Sequence, residues 1–222
     1  MNTTLNILVG CEESQAVTTE LRKLGVNAFS CDTEECSGGK PEWHFKHDVI
    51  PILNGGIFQT QGGVSHWIKK WDMIIAFPPC THLAVSGSRH FAKKRENGEQ
   101  QQGIYFFNLF TNLDCEHVVI ENPVGVMSTF YQKPNQIIQP YQFGDPFEKK
   151  TCLWLKGLPN LVYTNVVKPP ERTKYDSGKS MPTWYADAWR LPKKERAKLR
   201  SKTFPGIARA MAEQWVSFLN NI

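Results

Sequence analysis

Asp72-Met73-Ile74-Ile75-Ala76-Phe77-Pro78-Pro79-Cys80 decides how this chain is read. Met73-Ile74-Ile75-Ala76 is a short apolar run of the kind that a strand buried on both faces requires, and two prolines end it at once. The prolines fix two φ angles and hold a thiol on stiff backbone just past the strand, which in an open α/β sheet is where ligands bind. A second apolar run, His117-Val118-Val119-Ile120, closes on Glu121-Asn122-Pro123. If the two runs are parallel neighbours, Cys80 and Glu121 emerge at one end of the sheet. A thiol can add to C6 of a pyrimidine while a carboxyl group hydrogen-bonds ring N3 and offsets the charge that develops. The bland alternative for Cys80, an inert core thiol, leaves the prolines and the matching Glu-Asn-Pro without a reason.

Outward from these runs, short apolar stretches alternate with helical patterns, the signature of a βαβ architecture with a mostly parallel sheet. Residues 6–9 form the first strand, and a helix with Val17, Leu21 and Leu24 on one face follows, ended by Gly25. Residues 26–30 read as a second strand running into Cys31-Asp32, and a shorter extended piece ends at His47-Asp48. Further strands are predicted at 72–76, 117–120, 136–139 and 151–155, and a last helix from Pro205 repeats Ile207, Met211, Trp215 and Phe218 at helical spacing.

A chain of 222 residues, 41% hydrophobic and 21% charged, suits one soluble domain with a sizeable core. No stretch approaches a bilayer span, and Met1-Asn2-Thr3-Thr4-Leu5 lacks the features of a signal peptide, so a cytoplasmic protein with six reduced cysteines is expected. Cys31 and Cys36 with His44 and His47 are too loosely spaced for a zinc quartet, and no metal is expected. The basic excess behind the net charge of +5 sits in residues 168–202, where eleven basic side chains against four acidic ones interleave with Tyr175, Trp184, Tyr185 and Trp189. Charge for phosphates and rings for stacking suit a nucleic-acid surface; the alternative is a solvated basic helix at 192–202. Apolar periodicity disappears over 168–182, a candidate flexible loop.

Pro78-Pro79-Cys80 and Glu121-Asn122-Pro123 resemble the Pro-Cys and Glu-Asn motifs of DNA cytosine-C5 methyltransferases. From Leu8-Val9-Gly10-Cys11-Glu12 through Gln139-Pro140-Tyr141-Gln142-Phe143-Gly144 to Thr203-Phe204-Pro205-Gly206-Ile207-Ala208, the chain more closely resembles small phage and prophage proteins described as DNA cytosine methyltransferases. The resemblance implies an α/β, Rossmann-like methyltransferase fold, its mostly parallel central sheet carrying helices on both faces. It also implies one domain over 1–222, with a basic, partly irregular segment at about 165–203 in place of a full target-recognition domain. The implied cofactor is S-adenosylmethionine, and the implied partner is DNA, single-stranded or with its target base flipped out. RNA and free nucleotides are further candidate substrates, no membrane partner is implied, and the location is the cytoplasm of a bacterial host cell.

The resemblance assigns Cys80 as nucleophile and Glu121 as the group on N3. Asp32, after the second strand, stands where a carboxylate takes ribose hydroxyls, and Asp48 where the adenine amino group is contacted. Gly10, Cys11, Glu12 and Ser14 in the first loop, with Phe77 and Pro78, complete the expected cofactor set. Glu12 either pairs with the cationic amino-acid end of the cofactor or caps the following helix. Asn122 and Pro123, with Ser86, Arg89, Lys93, Lys94 and Arg95 after the nucleophile, are the expected substrate contacts, the latter group being otherwise a basic surface helix. The chain departs from the larger enzymes in three places. Gln139-Pro140-Tyr141-Gln142 carries none of the arginines of their Gln-x-Arg-x-Arg element, for which Lys149 or Lys150 is the candidate replacement; the interval from Leu155 to Pro205 is short; and no Gly-Asn precedes Pro205. Two other readings stay open. One is an amino-methyltransferase of cytosine N4 or adenine N6, whose polar-Pro-Pro-aromatic turn Phe77-Pro78-Pro79-Cys80 imitates without the polar residue; the other is a non-catalytic nucleic-acid-binding or anti-defence protein.

Overall fold

The computed structural model describes residues 4–222; residues 1–3, part of the stretch read for a signal peptide, lie outside the described residues. In chain order the elements are β1 (Asn6–Gly10), α1 (Ala16–Lys23), β2 (Asn27–Asp32), β3 (His44–Lys46), β4 (Gly56–Gln59), β5 (Ser65–Ile68), β6 (Met73–Ala76), α2 (Phe91–Glu96), α3 (Glu99–Leu109), β7 (Val118–Pro123), α4 (Met127–Phe130) and β8 (Gln136–Ile138). They continue with β9 (Thr151–Lys156), β10 (Arg172–Lys174), β11 (Ser180–Pro182), α5 (Thr183–Asp187), α6 (Lys193–Ser201) and α7 (Pro205–Leu219). Seven strands form one sheet in the order β3-β2-β1-β6-β7-β9-β8. The first five in that order run parallel, and β9 is antiparallel to both of its neighbours. The strand order reverses between β1 and β6, so the crevice for a ligand opens at the ends of these two strands.

Alternation along the central strands sorts the core into two layers. Ile7 and Val9 of β1, with Met73 and Ile75 of β6, face one side and pack against Val17 and Leu21 of α1 and Ile207, Met211 and Trp215 of α7. Leu8 and Ile74 face the other side and meet Ile104, Phe107 and Phe110 in and just beyond α3. The predicted α/β class, with a mostly parallel sheet and helices on both faces, is what the chain adopts.

Three local readings need correction. Leu24 is 43% exposed, because α1 stops at Lys23 and its buried stripe is Val17, Thr18 and Leu21. Residues 168–182 are not a loop throughout but carry the antiparallel β10–β11 hairpin. The β4–β5 hairpin lies in a stretch for which no element is predicted; its Phe58 and His66 turn inward onto Phe45 and Phe29. Among the described residues, no helix is long and apolar enough to cross a membrane.

The start of α7 depends on one close approach. Gly206 donates its N–H to Asp145 Oδ2 at 2.7 Å, and a Cβ at this position would lie 2.0 Å from the Phe143 carbonyl oxygen. That contact is with backbone and cannot be relieved by a rotamer change. Gly206→Ala is expected to destabilise the protein by about 3 kcal/mol or more, read as a lower midpoint in urea unfolding.

Candidate active site

The site is built by the register of β6 against β7. Ile75 stands opposite Val119 and Ala76 opposite Ile120, so Phe77 and Glu121 come next in line at the same end of the sheet. Asn122, 1% exposed, donates from Nδ2 to the Pro78 carbonyl at 2.7 Å and ties the two exits together. Beyond Pro79 the chain turns tightly, with the Cys80 carbonyl accepting from the N–H groups of Leu83 and Ala84, both at 3.0 Å. Backbone bonds from Val85 to Val124 and from Val126 to Leu83 then join this turn to the segment after β7. A Cβ on Gly125 would sit 2.4 Å from the Leu83 carbonyl oxygen, so only glycine admits this approach. From the other side, buried Gln100 of α3 donates to the His82 carbonyl at 3.2 Å. The half-buried Cys80 thiol therefore rides on a turn braced by both β7 and α3.

The charges around the thiol act on one another. Burial pushes the Cys80 thiol up from its ordinary value and the Glu121 carboxylate pushes it further, while Lys149 and then Arg200 favour the thiolate. Burial likewise raises Glu121, against Lys149, which lowers it. Of the two lysines considered in place of the missing arginines, Lys149 is at the site. Its Nζ also donates to the Lys202 carbonyl at 3.1 Å and the Ser201 carbonyl at 3.4 Å, clamping the end of α6. Nothing places Lys150, which is exposed, in the same position.

A narrow cleft opens beside these groups. Phe77, Glu121, Lys149 and Thr151 form its sheet side, and Thr203, Phe204, Ile207 and Met211 its α7 side. Cys80 is outside this lining, although Glu121 and Lys149, which belong to it, act on the thiol. The cleft is narrow, with about 10 Å³ of interior space, room for one water, and Lys202, Thr203 and Phe204 form part of its wall.

The proposed cofactor residues form a second group around β1–β3. Cys11 adopts a left-handed φ of 60°, an uncommon conformation for a residue with a Cβ. Its thiol is pushed up to about 12 by burial first and then by Asp32 and Asp48, which brings these three side chains into one neighbourhood. Oδ1 of Asp32 accepts from Glu34 N–H at 3.0 Å and Oδ1 of Asp48 from Ile50 N–H at 2.9 Å; among the described residues neither Oδ2 has a protein partner. Gly10 connects this group to the cleft, its carbonyl accepting from Phe77 N–H at 2.9 Å. Ser14 Oγ accepts from Ala16 N–H at 3.5 Å and is turned to the start of α1.

Glu12 is taken by the helix. Oε1 accepts from Val17 N–H at 2.7 Å, and Oε2 from Thr18 Oγ1 at 2.7 Å and Thr18 N–H at 3.3 Å. With the side chain 4% exposed and both oxygens engaged, the reading in which Glu12 pairs with a cofactor amine gives way to the capping one. Burial, the largest influence, raises its carboxyl from 4.5 to about 7, against the lowering effect of those hydrogen bonds. A folded-state value above the unfolded one means that the contribution to stability is complete below pH 4.5 and is lost as pH rises through about 7. Wild type is therefore expected to lose about 3 kcal/mol of unfolding free energy relative to Glu12→Gln across that window, measured by urea titration at each pH.

The expected substrate contacts divide. Ser86 and Arg89 lie on the 3₁₀ stretch Val85–His90, and Lys93, Lys94 and Arg95 on α2; no residue of either element is buried. Only Lys94 reaches the nucleophile's turn, donating to the Thr81 carbonyl. Pro123 stays in the sheet opposite Thr151. Arg200, one of the basic residues of 168–202, lies near enough to Cys80 for its charge to favour the thiolate; nothing in its local sequence marks that role. Among the described residues, no three His, Cys, Asp or Glu side chains are grouped to hold a metal. His44 uses Nδ1 with Ser30 Oγ at 2.8 Å and Nε2 with the Glu34 carbonyl at 3.0 Å.

No protein-family model matches this chain, and no curated protein matches it. Among solved structures, a methyltransferase from Entamoeba histolytica aligns with a TM-score of 0.47 at 15% identity, over 82% of this chain and 64% of that one. The chain thus spans less than two thirds of that protein's length. A likeness this slight identifies neither a substrate nor a reaction.

Proposed function

We propose that the chain is a single-domain, S-adenosylmethionine-dependent DNA methyltransferase that acts on cytosine C5. The observation that carries this reading is the parallel pairing of β6 with β7, which delivers a thiol and a carboxyl group to one end of the sheet, close enough for the Glu121 carboxylate to raise the thiol, with Lys149 acting on both. The Cys80 thiolate adds to C6, forming a C–S bond, while Glu121 protonates N3 so that the displaced electrons reach C5 as an enamine rather than a carbanion. After C5 has taken a methyl group, which bound S-adenosylmethionine would supply while leaving as the neutral thioether, loss of the C5 proton to solvent re-forms the C5–C6 double bond and breaks the C–S bond, and N3 returns its proton to Glu121 as the thiolate is released. Asn122 keeps the two exits in register through the Pro78 carbonyl. Because the target carbon is shielded in a base stack, the base must leave it to reach Cys80.

The residues around β1–β3 fit the cofactor. Ribose offers two hydroxyl donors and adenine an amino donor, and Asp32 and Asp48 each keep an acceptor oxygen for them beside the Cys11 backbone. Phe77, joined to Gly10, supplies the apolar contact between this group and the cleft. When bound, S-adenosylmethionine supplies an electrophilic methyl group.

Nucleoside mass spectrometry of DNA from cells producing wild type or Cys80→Ser tests the proposal. 5-Methylcytosine is expected with wild type alone. N4-methylcytosine or N6-methyladenine would establish an amino-methyltransferase instead, and unmodified DNA in both would leave a binding protein.

A further inference from the structure

Helix α6 presents a physical puzzle. None of its residues is buried, and its sequence, Lys193-Lys194-Glu195-Arg196-Ala197-Lys198-Leu199-Arg200-Ser201, offers no apolar stripe to hold it on the body. A helix this short and polar gains little from its own hydrogen bonds. What holds it is aromatic and lies at its edges. Trp184 packs edge-on against Phe147 and Phe204 at 5.8 and 6.1 Å and donates from Nε1 to the Glu148 carbonyl at 3.3 Å. Tyr185 stands edge-on to Trp184 at 5.4 Å, and the Arg200 guanidinium lies 4.0 Å from the Tyr185 ring centre. Trp189 follows, with Arg200 at 6.0 Å and Arg196 at 4.6 Å from its ring, and the row ends in solvent with Trp189 50% exposed. Its neighbour Ala188 is 1% exposed and anchors the turn.

The row thus runs from the core to the surface, and its middle member, Arg200, is also one of the two cations whose charge reaches Cys80. We propose that Trp189, between Arg196 and Arg200, is a stacking platform for single-stranded DNA, receiving the base next to the one presented to Cys80 while the two arginines take the flanking phosphates. The DNA part of this statement rests on the function proposed above; the stacking platform does not. With Arg196 turned off its ring, from which the guanidinium now stands 4.6 Å, the half-exposed indole offers a face to an unstacked base, whereas bases inside a duplex are already covered on both faces. Guanidinium groups on an aromatic ring are weakly hydrated and can turn to phosphate at little cost. Such a platform reads stacking rather than base edges, which accounts for a chain that can act without a large recognition insert.

The test is fluorescence anisotropy with the full-length Cys80→Ser protein and a fluorescein-labelled 12-nucleotide DNA strand, the same strand in duplex, and the same sequence as RNA. The single DNA strand is expected to bind at least about tenfold more tightly than the duplex, and Trp189→Ala to weaken it by about tenfold to a hundredfold, with Trp189→Phe recovering part of the loss. Arg196→Gln is expected to reduce the slope of log affinity against log salt by about one. Trp67→Ala, which removes an indole 70% exposed on the β4–β5 hairpin, serves as a control and is expected to bind as the parent does. Duplex binding equal to single-strand binding, or wild-type affinity in a folded Trp189→Ala protein, overturns the platform. Tighter binding of RNA through Trp189 supports the platform and overturns DNA as the substrate. Trp189-dependent binding in a protein whose wild type methylates nothing would retain the platform and discard the enzyme, while methylation with Trp189-independent binding would do the reverse.

Discussion

Cys80→Ser lowers methyl transfer by at least about 10³-fold and abolishes a covalent complex that wild type forms with DNA containing 5-fluorocytosine: this is the largest effect expected of any single substitution. The trap follows from electron accounting. Once C5 has taken the methyl group, the thiolate can leave C6 only as C5 loses its proton, and fluorine at C5 cannot leave as a cation, so with cofactor present the C–S bond persists and the complex survives denaturing electrophoresis. Serine at this position keeps the shape of the turn, because the bonds that define it run to the residue-80 carbonyl from Leu83 and Ala84 and not to the side chain. Its hydroxyl ionises far less readily than a thiol and is a poor nucleophile without an adjacent base. Unfolding in urea should therefore be nearly unchanged while the adduct disappears. A wild-type protein that methylates DNA yet leaves no adduct would sink the covalent route and return attention to amino methylation.

The parts of the fold legible in sequence are those where burial on both faces leaves a continuous apolar run. Met73–Ala76 and Val118–Pro123 are such strands, and the exits from them, Cys80 and Glu121, could be placed because chain direction follows from the βαβ order. α7 was legible for the related reason that Ile207, Met211 and Trp215 repeat at helical spacing. The β4–β5 hairpin was not: Ile57 and Trp67 face solvent, 74% and 70% exposed, so its alternation has apolar residues on the wrong side. The β10–β11 hairpin is three residues per strand and almost wholly polar outside Met181 and Pro182. At the site, Lys149 and Arg200 meet Cys80 only because the lead into β9 and the end of α6 close on each other through Lys149 and the Ser201 and Lys202 carbonyls. No spacing rule joins residues so far apart in the chain. Glu12 admitted two readings from sequence, and the hydrogen bonds to Val17 and Thr18 choose the cap.

Glu121→Gln is expected to move two measurements in opposite directions, which separates its role from a merely structural one. Methyl transfer should fall by about 10²- to 10⁴-fold, because an amide can hydrogen-bond N3 but cannot deliver a proton to it. Alkylation of Cys80 by iodoacetamide should become faster. The thiol in wild type is held above its ordinary 9 by burial first and by the Glu121 carboxylate second, so thiolate accumulates only above pH 9. Removing the carboxylate charge takes away the second influence and shifts the alkylation profile toward lower pH, with the burial contribution unchanged. Lys149→Met should shift it the other way, since Lys149 is the larger of the two cationic influences that favour the thiolate. The three profiles, each followed by mass spectrometry of the Cys80 peptide, therefore have a required order: the glutamine variant at lowest pH, wild type next, the methionine variant highest. An unmoved profile in Glu121→Gln would mean that the carboxylate and the thiol do not share a site, and the pyrimidine would have no place between them.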